Sequence, residues 1–163
     1  MHDPLVTDDA RALVAELGAR RQTVATAESL TAGLVAATIA GVPGASAVLR
    51  GGLITYLVET KITLAGVPAD LLAEVGPVAE PTARAMAVGA RQRCGATWGV
   101  GLTGVAGPEP HGGHPPGTVY IGLAGPDDTE VVRLAAAGSR WDIRIAAVHE
   151  ALARMRAFIA ARP

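Results

Sequence analysis

The chain has 163 residues, half of them apolar, and a formal net charge of −1. That length suits one domain with a buried core and is short for two. Aromatics make up only 3%, and every apolar run is broken by Gly, Thr or Arg well short of a membrane span, which excludes a membrane protein and argues against a membrane partner. The basic residues are scattered instead of gathered in a stripe, so there is little to grip a phosphate backbone and nucleic acid is not an expected ligand. The opening stretch, MHDPLVTDDARALVAEL, carries acids and no basic region ahead of an apolar core, unlike a signal peptide. The lone Cys94 leaves no intrachain disulfide and suits a reducing cytoplasm.

In chain order, Thr7 is placed to cap a helix in which Ala10, Leu13, Val14 and Leu17 share one face, with Gly18 as its stop. TVATA, 23–27, reads as a short buried strand. TAGLVAATIAG, 31–41, reads as a helix whose small residues allow close approach to the layer it covers, and Pro43 and Gly44 end the unit. GGLITY, 51–56, is a second strand that leads into a helix over ETKITLAG. VPADLLAEVGPVAE gives a short helix and a turn, and Pro81 suits the first turn of the next helix, PTARAMAVGARQRCG. A third strand, TWGVGLT, 97–103, runs into the loop GVAGPEPHGGHPPG. TVYIGLA and TEVVRLAAA, joined by GPDD, read as an antiparallel hairpin. Ser139 and Asp142 form a capping box for the last helix, whose apolar face is Trp141, Ile145, Val148, Leu152, Met155 and Ile159.

Strands alternating with helices, then a hairpin and a closing helix, imply a three-layer α/β/α sandwich with a mixed sheet, one domain over residues 1–163. In such sheets ligands bind beyond the strand ends, where loops enter helices. Three segments meet that condition: AESLTAG, TYLVETK and TGVAGPEPHGG.

Ser29 lies between a strand and a helix, where free N–H groups and a positive dipole end can hold an oxyanion or a phosphate. It is either the N-cap of that helix or a nucleophile, and ESLTAG is not the G-x-S-x-G elbow. Lys61 is the only lysine in the chain. In the first turn of a helix beginning near Val58 it would meet an opposing dipole that lowers its pKa, and a neutral lysine can serve as the base of a Ser–Lys pair. Arginine cannot. Tyr56 either relays a proton and anchors that pair or packs at a rim with its hydroxyl in water. TGVAGPEPHGG lets backbone amides approach an anion but lacks the lysine of a P-loop. His111 and His114 have no acidic or cysteine partner at ligand spacing, so no metal is expected. Cys94 reads as packing and His149 as a helix surface residue. Arg140 and Arg144, one turn apart, form an anion clamp or pair with surface carboxylates.

TAESLTAG, VPGASAVLRGGLITY, ETKITLAGV, GPVAEPTARAMAVGAR, TGVAGPEPHGGHPPGTVYIGLA and GSRWDIRIAAVHEAL, in that order, resemble the CinA C-terminal domain family, which includes stand-alone, PncC-like nicotinamide-nucleotide amidases. The resemblance covers nearly the whole chain. It implies an α/β/α domain that hydrolyses nicotinamide mononucleotide to nicotinate mononucleotide and ammonia through a Ser–Lys–Tyr acyl-enzyme, without metal or cofactor. It puts catalytic roles on Ser29, Lys61 and Tyr56. Substrate contacts fall on Glu28, Leu30, Thr31 and Gly33, on Thr103, Gly104, Ala106 and Gly107 of the TGVAGP loop, and on Arg140 and Arg144.

The departures are specific. Ala32 stands where many members have glycine, a small change if the backbone there is helical. Val58 replaces a frequent asparagine, which removes a polar contact beside Tyr56 and Lys61. Ala79 replaces a serine and with it a helix cap, and the loop around His111 and Pro115 lacks the usual charged residues. Two other readings therefore stay open: a non-catalytic nucleotide- or protein-binding module of the competence and damage-inducible type, and a hydrolase of another amide or ester. Full-length members carry a further N-terminal domain, whose metal-dependent pyrophosphatase chemistry is not expected of these residues. An Ala-rich surface and the resemblance both admit a homo-oligomer.

Overall fold

The computed structural model describes residues 3–162; Met1, His2 and Pro163 lie outside it, and with them the first two residues of the stretch read as unlike a leader. The elements run α1 (Asp8–Arg20), β1 (Val24–Glu28), α2 (Leu34–Ala40), a 3-10 turn (Ala45–Ala47), β2 (Leu49–Ile54), α3 (Val58–Thr63), α4 (Ala69–Val75), α5 (Glu80–Arg93), β3 (Trp98–Gly104), β4 (Thr118–Ala124), β5 (Thr129–Ala135) and α6 (Arg140–Ala160). The strands lie in the order β2-β1-β3-β4-β5. β2, β1 and β3 are parallel, and β4 runs antiparallel to both its neighbours, giving the mixed sheet expected.

The two faces of the sheet are built differently. Along β3, the alternation of a strand sends Trp98, Val100 and Leu102 into the larger core, where α1, α2 and α6 add Leu13, Leu17, Ile39 and Leu152. Gly99 and Gly101 face the other way, under α5. Side chains there would collide with the α5 backbone: a Cβ on either glycine would fall inside van der Waals contact of Ala87 main-chain atoms. The second core is correspondingly small, built from Ala25, Ala27, Ala65, Met86 and Ala90 with a few larger neighbours.

Caps follow the sequence at several ends. Thr7 accepts a hydrogen bond from the Ala10 N–H, and Ser139 and Asp142 form a complete capping box. Three readings are corrected. α1 continues through Gly18 to Arg20, and Arg21 after it takes the left-handed conformation (φ 55°) usually left to glycine. α2 begins at Leu34, not Thr31, because Ala32 (φ 49°) and Gly33 (φ 98°) are left-handed and delay the helix. On α6, Trp141 is 52% exposed and Ile145 only half-buried; Val148, Leu152, Met155 and Ile159 are buried as expected, joined by Ile143, Ala147, Ala151 and Phe158. Among the described residues no helix is long and apolar enough to cross a membrane.

Candidate active site

The C-terminal ends of β1, β2 and β3 open side by side, and each contributes one wall of a cavity of about 500 Å³. β1 delivers Ser29. Val24, Thr26 and Glu28 point toward α2 while Ala25 and Ala27 enter the opposite core, so the same alternation sends Ser29 toward α3. Its N–H donates to Leu102 O at 3.0 Å, which fixes the residue to the end of β3.

Glu28 is fully buried and does not face the cavity. Its carboxylate accepts from Thr26 Oγ1 (3.0 Å) and from the N–H groups of Gly33 (3.0 Å), Val35 (3.0 Å) and Ala36 (2.9 Å). These are the orphan donors of a helix start, and a carboxylate is the best acceptor for them. The reading of Glu28 as a substrate contact and of Ser29 as the cap of α2 are both corrected: the cap is Glu28, acting from outside the helix, and Ser29 is free of that duty.

β2 delivers the lysine. After Thr55 and Tyr56 the chain turns into α3, whose fourth residue is Lys61, 2% exposed. Its Nζ donates to Ser29 Oγ at 3.0 Å, to Thr55 O at 2.7 Å and to Tyr56 O at 3.5 Å. Burial pushes its pKa down from the ordinary lysine value to about 8. The cause is thus desolvation; α3 spans only six residues, too few for the helix dipole invoked from the sequence to matter.

The side chain of Tyr56 is half exposed and turns to the rim, where its hydroxyl accepts from Arg140 Nη2 at 2.7 Å. The second guanidinium nitrogen of Arg140 donates to Gly107 O. Arg140 therefore ties α6 to the walls from β2 and β3. Arg144 does not join it in a clamp. Its Nε donates to Leu30 O (2.8 Å) and its Nη2 to Thr31 O (3.3 Å), so this cation holds the backbone after Ser29 instead of facing the cavity.

β3 delivers the third wall, Thr103, Gly104, Ala106 and Gly107, all on the cavity as expected, with Thr103 Oγ1 anchored to Pro77 O. Of the other expected contacts, Leu30 and Arg140 line the cavity and Glu28, Thr31, Gly33 and Arg144 do not. The remaining lining is largely apolar, from Leu57, Val58, Pro77, Val78, Val105, Pro108 and Pro110, with the carboxylate of Glu109 and the exposed His111 beside it. His111 sits at the base of a two-residue turn: His111 and His114 exchange main-chain hydrogen bonds across Gly112 and Gly113. The HGGH pattern was the available signal. Thr55 was also missed, and its role rests on a carbonyl that any residue would supply. Among the described residues no three His, Cys, Asp or Glu side chains are grouped to hold a metal.

The family model for the CinA C-terminal domain matches residues 7–159. A CinA-like protein of Anaeromyxobacter sp. (strain K) is 50% identical over 147 residues, covering 88% of this chain and 36% of that protein. A CinA-like protein of Frankia casuarinae is 49% identical over 144 residues, 88% of this chain and 33% of that protein. The chain thus spans about a third of the length of the curated relatives it matches. Among solved structures, the competence/damage inducible protein CihA from Agrobacterium tumefaciens superposes with a TM-score of 0.90 at 31% identity, covering 96% of this chain and 97% of that one. A competence-damaged protein (CinA) superfamily protein from Klebsiella pneumoniae gives 0.92 at 28% identity, over 95% and 98%. Fold and sequence agree across these comparisons, and the chain belongs to the CinA C-terminal domain family.

Proposed function

We propose that this protein is an amidase that hydrolyses the carboxamide of nicotinamide mononucleotide, with Ser29 as nucleophile and Lys61 as its base. The observation that carries the reading is the buried contact of 3.0 Å between Lys61 Nζ and Ser29 Oγ on the wall of a cavity. A serine hydroxyl is a weak nucleophile until a base takes its proton, and a lysine desolvated enough to be neutral can take it.

The steps follow from the positions. Neutral Lys61 accepts the Ser29 proton as Oγ attacks the carboxamide carbon, and the carbonyl oxygen becomes an oxyanion on the cavity wall beside the main chain of Leu30. The C–N bond breaks, and ammonia leaves with the proton from Lys61. Water then attacks the acyl-enzyme, giving its proton to Lys61, and nicotinate mononucleotide departs as Ser29 regains a proton. The apolar wall of Leu57, Val58, Val78 and Val105 suits a flat pyridine ring, and Arg140 at the rim suits a phosphate. Tyr56 enters through its main-chain carbonyl on Lys61 and its rim hydroxyl, which points to Arg140 and not to Ser29. The hydroxyl relay read from the sequence is not part of this scheme.

The test is ammonia release from nicotinamide mononucleotide by the metal-stripped protein beside Ser29→Ala. Release by the unaltered chain alone is the expected result. Release by neither, in folded samples, would move the assignment to another amide or to a non-catalytic binding module.

A further inference from the structure

Among the described residues, the lining of the cavity beside Ser29 holds one guanidinium, Arg140, and one carboxylate, Glu109. Arg140 suits the substrate phosphate. Glu109 has no part in the chemistry of Ser29 and Lys61, and no ion pair among the described residues neutralises it.

The sequence holds that carboxylate in place. Glu109 stands between Pro108 and Pro110, and both prolines also line the cavity. A proline fixes its own φ and pushes the residue before it into extended backbone, so the approach to Glu109 and its own conformation are both restricted. The flanks are fastened as well. Arg140 Nη1 donates to Gly107 O on one side, and on the other the His111 N–H donates to His114 O at 3.0 Å. With its main chain so constrained, Glu109 keeps a charge on the wall at little cost beyond the freedom of its own side chain.

A cavity of about 500 Å³ is roughly 10 Å across, close to the Debye length of ~8 Å at physiological salt. Any charged molecule that fills it therefore meets both Glu109 and Arg140 incompletely screened. Apolar walls with one fixed charge of each sign match a ligand that is flat and apolar in the middle and carries both a cation and an anion. An N-ribosylated nicotinamide ring is a cation, and its phosphate is an anion.

We propose that Glu109 is a specificity-determining residue: its carboxylate selects the positively charged pyridinium ring over an uncharged ring of the same shape. The inference rests on the amidase reading above and narrows it to N-substituted pyridinium carboxamides. The same carboxylate repels the phosphate, and the two effects separate when the ring charge alone is changed.

The test compares nicotinamide mononucleotide with its reduced, dihydropyridine form, which has the same phosphate, ribose and carboxamide but an uncharged ring. On the full chain, ammonia release gives kcat and KM for the first, and the second is added as a competitor to give its Ki. The ratio Ki/KM measures selectivity for ring charge. An exposed ion pair shifts an equilibrium by about 2- to 5-fold, so Glu109→Gln should lower the ratio by that factor. Because Glu109 is exposed, the exchange leaves the fold intact. kcat should not change, as for any contact made equally in the ground state and the transition state. Glu109→Asp, which keeps the charge, should keep most of the selectivity. At about 1 M salt, where the Debye length is ~3 Å, the unaltered chain and Glu109→Gln should converge.

No turnover of nicotinamide mononucleotide by the folded, unaltered protein would overturn the amidase reading and this inference with it. Turnover together with an unchanged Ki/KM in Glu109→Gln, including a KM and a Ki that rise by the same factor, would overturn the inference alone. So would a ratio that falls equally in Glu109→Asp, or a difference that survives high salt, since either would put the effect on side-chain shape instead of charge.

Discussion

On the proposed amidase reading, a single ionisation governs the chemistry at the scale of the residue. With the Lys61 pKa near 8, the working neutral amine is a minor form at pH 7, roughly one molecule in ten, and the dominant form by pH 9. Because the base must be deprotonated to act, kcat/KM is expected to climb about tenfold between those two values and then level off. Lys61→Arg keeps the positive charge and forfeits the neutral form, so its activity should drop by at least about 100-fold at every pH. A flat pH profile, or an active arginine variant, would hand the role of base to another group. The Ser29–Lys61 partnership was legible because a lone lysine stands out in an arginine-only background. The partner of the Tyr56 hydroxyl was not, because Arg140 lies 84 positions away and no local pattern links them. Glu28 could have been placed correctly. Counting by twos from Val24 sends it to the face opposite Ser29, and that count is available in the sequence.

Among the elements, helix starts carry the differences from expectation. α5 begins after Ala79, whose backbone is extended (φ −157°, ψ 157°) as an N-cap requires, and whose methyl group offers nothing to the first-turn N–H groups. Ala79→Ser is expected to stabilise the protein by about 1 kcal/mol, seen as a rise of a few degrees in Tm, since serine can accept from the Thr82 N–H without moving the chain. An unchanged or lower Tm would mean that water already serves those donors as well. The start of α2 teaches a different lesson. Ala32 looked like an inconsequential exchange for glycine on the assumption of helical backbone, yet it sits at φ 49°, a conformation that costs an L-residue about 1–2 kcal/mol. Strand and helix identities were readable from periodicity. The two left-handed residues that set where α2 begins were not, because the capping group is a carboxylate five to eight positions upstream.

For the molecule as a whole, the layers differ in thickness. One face of the sheet takes large side chains and three helices, and the other takes glycine and alanine so that α5 can lie almost on the strands. Gly101→Ala would push a methyl group against Ala87 N, Ala83 O and Met86 Cβ. Backbone cannot step aside as a side chain can, and the expected loss is on the order of 1–3 kcal/mol, measurable as a lower denaturation midpoint in urea. Stability equal to that of the unaltered chain would show that α5 can lift away freely. The three-layer plan and the location of the site at the parallel strand ends were both legible, since they follow from the order of strands and helices. Layer thickness was not, because a glycine in a strand reads the same whether it bends the chain or admits a helix.

The bonds that shape the cavity have a common property. Lys61 is held by the carbonyls of Thr55 and Tyr56, Arg140 by that of Gly107 as well as by a hydroxyl, Arg144 by those of Leu30 and Thr31, Thr103 by that of Pro77, and Glu28 mostly by N–H groups. Every residue carries those main-chain atoms. The neighbours that fasten the machinery can therefore change identity over evolutionary time without loosening it, provided the backbone keeps its path. Val58 and His111, both on the cavity wall, are where such drift can retune which molecule enters while the Ser29–Lys61 pair stays as it is.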